Sequence, residues 1–174
     1  ENFKNNDASN LEDKYQYLMD SLTESISLQD YLVQQLDMVK LSSQERKVSE
    51  LIIGSIDDDG YLQIDLEEIL INPNFPTEMF EKIIAIIQSF DPAGICARDL
   101  RECLLLQLER VGKTDKPEYI IVKNYLDLLG RNKLELIAEK MSISLSDIKK
   151  YSEAIAKLDP KPGQQVNQDM IEYI

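Results

Sequence analysis

Two amphipathic stretches of this chain run into the same kind of stop, and any fold must accommodate both. Apolar residues lead into the first stop at Phe80, Ile83, Ile87 and Phe90, and into the second at Ile148, Tyr151, Ile155 and Leu158. This shared 3-4-3 spacing puts each quartet on one helical face. The stops read Phe90-Asp91-Pro92-Ala93-Gly94 and Leu158-Asp159-Pro160-Lys161-Pro162-Gly163. A residue before proline is pushed out of the helical region, and a following glycine can take a positive φ. Asp91, Pro92, Gly94, Asp159, Pro160, Pro162 and Gly163 are therefore read as turn residues that end a helix and reverse the chain.

The rest of the chain reads as helices. Residues 1–14 are polar and without periodicity, and are expected to be a disordered linker. A weak apolar spacing follows from Tyr15 to Ile26, and Ser27 with Asp30 forms an imperfect capping box for the next helix. Ser42 or Ser43 caps a third helix, with Gly60 expected as its left-handed terminator. Leu66, Ile69 and Leu70 suggest a short helix, and Thr77 is the expected cap of the helix ending at Phe90. From Ala97, a helix nearly apolar all round through its middle suggests a central, buried position. Arg98, Asp99, Arg101 and Glu102 crowd its start, and Arg98 is expected to reach back to Asp91. After the polar stretch Gly112–Pro117, one helix ends at Gly130. A helix, the three-residue turn Ser142-Ile143-Ser144 and a second helix then form a helix-turn-helix pattern. The fold class is all-α, in two helical subdomains spanning residues 15–112 and 113–174. Residues 117–163 are too few to hold a core alone, so the second unit should lean on the first, with the apolar faces ending at Phe90 and Leu158 as the natural contact.

Charge narrows the function classes. The chain of 174 residues carries a net −13, distributed as −5 over residues 1–40, −8 over 41–110 and zero over 111–174. Nucleic-acid affinity comes mainly from cations set against phosphates, so DNA or RNA is disfavoured as the main ligand and a basic protein surface is favoured. The outer face of the last helix holds Ser146, Asp147, Lys149, Lys150, Glu153 and Lys157, without the Arg, Asn or Gln that read base edges. Asp57-Asp58-Asp59-Gly60 lacks the alternating oxygen ligands and terminal Glu of a calcium loop. Cys96 and Cys103 stand about 10.5 Å apart along one predicted helix, too far for a disulfide, and have no histidine with which to build a zinc site. The chain contains no histidine, the usual base near neutral pH, and no glycine-rich phosphate loop. A noncatalytic chain with no cofactor is expected. No apolar run reaches the roughly 18 residues of a membrane span and no leader pattern is present, so a soluble, cytoplasmic protein is expected.

The stretch FDPAGICARDLRECLLLQL, together with DDDGYL at residues 57–62 and LDPKPG at residues 158–163, resembles the core-binding region of the sigma-54 (sigma-N) family of bacterial transcription factors. The resemblance runs from near Ser27 through Gly163, covering most of the chain. It implies docking onto core RNA polymerase, with promoter DNA contacted through family segments that this sequence lacks: the glutamine- and leucine-rich activator-responsive region and the promoter-binding helix-turn-helix. Asp57, Asp58, Asp59, Arg98 and Arg101 are the candidate polymerase contacts. The Asp triplet leads them, as a solvated helix end whose reversal to Lys should slow association more than it disturbs the fold. The other readings are a DNA-binding helix-turn-helix regulator fragment and a structural helical spacer.

Overall fold

A computed structural model describes residues 13–15, 17, 26–64 and 76–169. The expected all-α class holds: eight helices run through the described residues, and pairing between extended segments is limited to two isolated bridges. Asp13 and Lys14, placed in the expected linker, are helical with Tyr15 and Tyr17, while the rest of that linker and the short helix around Leu66–Leu70 lie outside the described residues.

Local capping starts the first two helices. Helix α1, Leu28–Leu36, opens on a complete capping box: Ser27 Oγ accepts from the Asp30 amide at 3.1 Å, and Asp30 Oδ2 accepts from the Ser27 amide at 3.3 Å. Helix α2, Ser43–Gly54, repeats the device with Ser42 and Glu45. Lys82 of helix α3, Thr77–Gln88, donates to the same Glu45 carboxylate at 2.6 Å and ties the two helices together. Leu28, Leu32 and Leu36 of α1 face Val48, Ile52 and Ile53 of α2 and Phe80, Ile83 and Ile87 of α3, forming the first apolar core.

Two expected caps are corrected. Thr77 is the first residue of α3, preceded by Pro76, which makes no side-chain capping bond. Gly60 does not terminate α2, which stops at Gly54; with φ of +99° it turns the chain six residues later, between the bridged residues Ile56 and Leu62.

Helix α4 covers Leu100–Arg110, not a span from Ala97, because Asp99 caps it by accepting from the Glu102 amide at 2.8 Å. The helices α5, Pro117–Gly130, α6, Leu134–Met141, and α7, Leu145–Ala156, follow. Ser142 takes the left-handed conformation after α6 and Ser144 caps α7, giving the expected helix, short turn and helix. A second apolar core gathers Ile121 and Val122 of α5, Ile137 of α6 and Ile148 and Ile155 of α7 around Leu104 and Leu108 of α4. Helix α8, Gly163–Asp169, packs on α1, and its Val166 belongs to the first core. The apolar faces ending at Phe90 and Leu158, expected as the contact between the units, instead turn into the first and second core respectively.

Glu45 makes part of this stability dependent on pH. Its bonds from Lys82 and Ser42 lower its pKa from the ordinary 4.5 to about 2. The unfolded chain binds the proton first on acidification, so the contribution is complete above about pH 4.5 and is lost as pH falls towards 2. Denaturant melts between pH 5 and 2 should show a shallower acid loss for Glu45→Gln than for the natural chain. Because α4 supplies part of the second core, a piece limited to residues 113–174 should show weak helicity and a broad thermal transition by circular dichroism, where the whole chain melts sharply.

Candidate functional site

The three motifs that stand out in the sequence meet at one place. Gly60 of the acidic turn lies against Gly163 of the second stop so closely that a Cβ on Gly163 would come within 2.5 Å of the Asp58 carbonyl and 2.7 Å of the Gly60 amide. The Gly163 amide donates to the Asp59 carbonyl at 3.0 Å, and the Tyr61 hydroxyl donates to the Pro160 carbonyl at 2.6 Å. The first stop enters from the other side: the Cys96 amide donates to the Gly60 carbonyl at 2.8 Å and the Leu62 amide to the Ala97 carbonyl at 2.9 Å. Gly94, at φ +92°, rests on Cys103 and Gln107 of α4.

Each Asp-Pro stop is held by a glutamine from an earlier helix. An aspartate at the end of a helix keeps a main-chain N–H and C=O in need of partners, and the proline after it has no N–H to offer. Gln35 of α1 accepts from the Asp91 amide at 2.8 Å and donates to the Asp91 carbonyl at 2.7 Å. Gln107 of α4 accepts from the Asp159 amide at 2.8 Å and donates to the Asp159 carbonyl at 2.6 Å. A primary amide presents an N–H donor beside a C=O acceptor, which matches an extended main-chain residue as a neighbouring strand would. Gln35 is partly exposed, whereas Gln107 is buried. Asp91-Pro92 is a cis peptide.

The candidate contact residues are largely engaged within the chain. Asp57 Oδ1 accepts from the amides of Asp59 and Tyr61 at 3.0 and 2.9 Å, shaping the turn as a short polar residue does. Asp59 accepts from Gln164 at 2.7 Å and pairs with Lys161 at 3.2 Å, anchoring the second stop. Asp58 is exposed, and its carboxylate makes no hydrogen bond or ion pair among the described residues. Reversing all three would therefore disturb the fold, contrary to the reading of the triplet as a purely solvated end. Arg98 does not reach Asp91: it makes a forked contact with both oxygens of Glu81, at 3.0 and 2.9 Å, and lies 3.7 Å from Glu102. The partner of Asp91 is Arg110, at 2.8 Å, which also donates to the Phe90 carbonyl. Arg101 donates to the main chain of α5 at Val122 and Lys123. Sequence reasoning missed Gln35, Gln107 and Arg110, since nothing in local spacing marks a polar side chain whose partner lies far along the chain.

Neither thiol is poised for chemistry. Burial pushes Cys96 up to about 12 and also raises Cys103, so both stay protonated near neutral pH. On α7, Asp147 is lowered by Ser144 and then by Lys150, leaving a surface of both signs rather than a cationic strip.

A family model described as the sigma-54 factor core binding domain matches residues 17–174. The chain belongs to the sigma-54 core-binding domain family. Among curated proteins it is similar to the RNA polymerase sigma-54 factor of Azotobacter vinelandii, 37% identical over 179 residues with 96% of this chain and 35% of that protein covered. It is 36% identical over 152 residues to the factor of Acidithiobacillus ferridurans, covering 85% of this chain and 32% of that protein. Against the factor of Escherichia coli (strain K12), the identity is 32% over 154 residues, with 85% and 32% covered. The chain thus spans about a third of the length of these relatives.

Within this domain the two glutamines should differ in weight. Gln107→Ala leaves a partly buried main-chain N–H and C=O unmet and should cost about 2 kcal/mol in urea denaturation, against less than about 1 kcal/mol for the more exposed Gln35→Ala. Equal losses would show that burial does not set their contributions.

Proposed function

We propose that this chain is a noncatalytic docking module that binds core RNA polymerase. The carrying observation is the match of the core-binding domain family over residues 17–174. The net charge of −13, all of it before residue 111, supports a basic protein surface as the partner. Asp58 is the member of the acidic turn free to meet such a surface, while Asp57, Asp59, Arg98 and Arg101 serve by holding the turn and α4 in place. The division into two units, residues 15–112 and 113–174, is part of this reading. Two separate apolar cores support two units, although α4 of the first span packs in the second core and α8 of the second span returns to the first. Among the described residues, no helix is long and apolar enough to cross a membrane. Promoter contact is assigned to parts of the longer relatives that the chain does not match.

Purified chain, core polymerase and promoter DNA in parallel binding measurements test the proposal. Core should bind more tightly than DNA, and its association should slow with added salt, since ions screen exposed charges over about 8 Å at physiological strength. Asp58→Lys should slow association with core several-fold while leaving the melting curve unchanged. Tighter binding to DNA than to core would overturn the reading.

A further inference from the structure

Helix α5 is broken in its middle. Tyr125 has φ −131° and ψ 16°, where an α-helical residue has about −63° and −42°. Sharp breaks arise at proline, at glycine or serine, at a one-residue bulge, or where a side chain enters the hydrogen-bond ladder. Between Pro117 and Gly130 the helix contains no proline, glycine or serine. What meets it at the break is Arg101 of α4. Arg101 Nη1 donates to the Val122 carbonyl at 3.1 Å and to the Lys123 carbonyl at 2.6 Å, and Nη2 lies 3.4 Å from Asp127 Oδ2. In an unbroken α-helix those two carbonyls accept from the amides of Leu126 and Asp127, the residues directly after Tyr125.

We propose that Arg101 is a latch that holds α5 bent. Its guanidinium supplies the Val122 and Lys123 carbonyls with donors from outside the helix, and so competes with the amides of the following turn. A delocalised cation suits this role, because it is weakly hydrated and carries several donors in fixed directions. Its position in the first turn of α4, where the helix dipole disfavours a cation, is otherwise unexplained. Asp127 is a minor partner, since its side chain is 85% exposed and the contact is long. The bend has a structural consequence: Leu126, Leu129 and Arg131, all beyond it, line an open groove of about 570 Å³ with Leu100 and Arg101 at the start of α4. Releasing the latch straightens α5 and changes that groove without touching the junction of the three loops.

Amide hydrogen exchange by NMR on the whole chain tests the latch. In the natural chain, the Leu126 and Asp127 amides should exchange at least about tenfold faster than those of Ile121 and Val122 earlier in α5. Arg101→Met, which keeps the length of the side chain and removes its donors, should slow exchange at Leu126 and Asp127 by about tenfold or more, and move the Cα shift of Tyr125 to a helical value. A role confined to general stability would instead speed exchange throughout α5. The proposal is overturned if the two amides are already as protected as their neighbours in the natural chain, or if Arg101→Met leaves them unchanged or faster. Should the variant fail to fold, the exchange profile of the natural chain decides alone.

Discussion

The main-chain N–H and C=O of the aspartate at each Asp-Pro stop must find partners, and the rest of the structure depends on how that need is met. A proline after the stop removes one donor and prevents the helix from continuing, so the aspartate is left extended at the point where the chain reverses. Gln35 and Gln107 each close this gap with a paired donor and acceptor. The less exposed pair, at Asp159, carries the greater consequence. It sets the second stop against α4, from where Gly163 can approach the Asp59–Gly60 turn and α8 can return to α1. Only glycine fits at Gly163, because backbone atoms occupy the place of a side chain.

Helix α4 links the second core to the junction of the loops. Leu104 and Leu108 enter the second core, while Cys103 and Gln107 underlie the junction of the loops. This double use explains why the helix is apolar nearly all round, and why its charges sit at its two ends. Arg98 binds Glu81 of α3, Arg101 binds the main chain of α5 and Arg110 binds the first stop. The charges are fasteners to three neighbouring elements. Several acids of the first unit likewise serve as caps and ion-pair partners, as Glu45, Asp57, Asp59 and Asp99 show.

What was legible in the sequence is local. Ser27 with Asp30, the 3-4-3 quartets, the two Asp-Pro stops and the Ser142–Ser144 turn each act within a few residues, where chain connectivity already holds the partners close. These features determined the all-α class, and the motif set was specific enough to indicate the family. Two local readings failed for local reasons: Thr77 was displaced as cap by the extended Pro76, and α2 ended at Gly54, well before the nearest glycine with a positive φ.

The tertiary structure alone decided which polar groups became partners. Gln35 meets Asp91 across 56 residues, Gln107 meets Asp159 across 52, and Gln164 meets Asp59 across 105. A glutamine in a helix has no periodic signature, and its amide acquires a role only when packing removes water from the group it faces. The same holds for the charges: Arg98 and Arg110 stand in one short segment, and only the placement of α3 and of the first stop assigned Glu81 to one and Asp91 to the other. The sequence by itself determined where helices start, stop and turn an apolar face inward, because those choices are made by neighbours along the chain. Which loops meet, and which of the three aspartates at 57–59 remains free, was decided by contacts between residues that only the folded chain brings together.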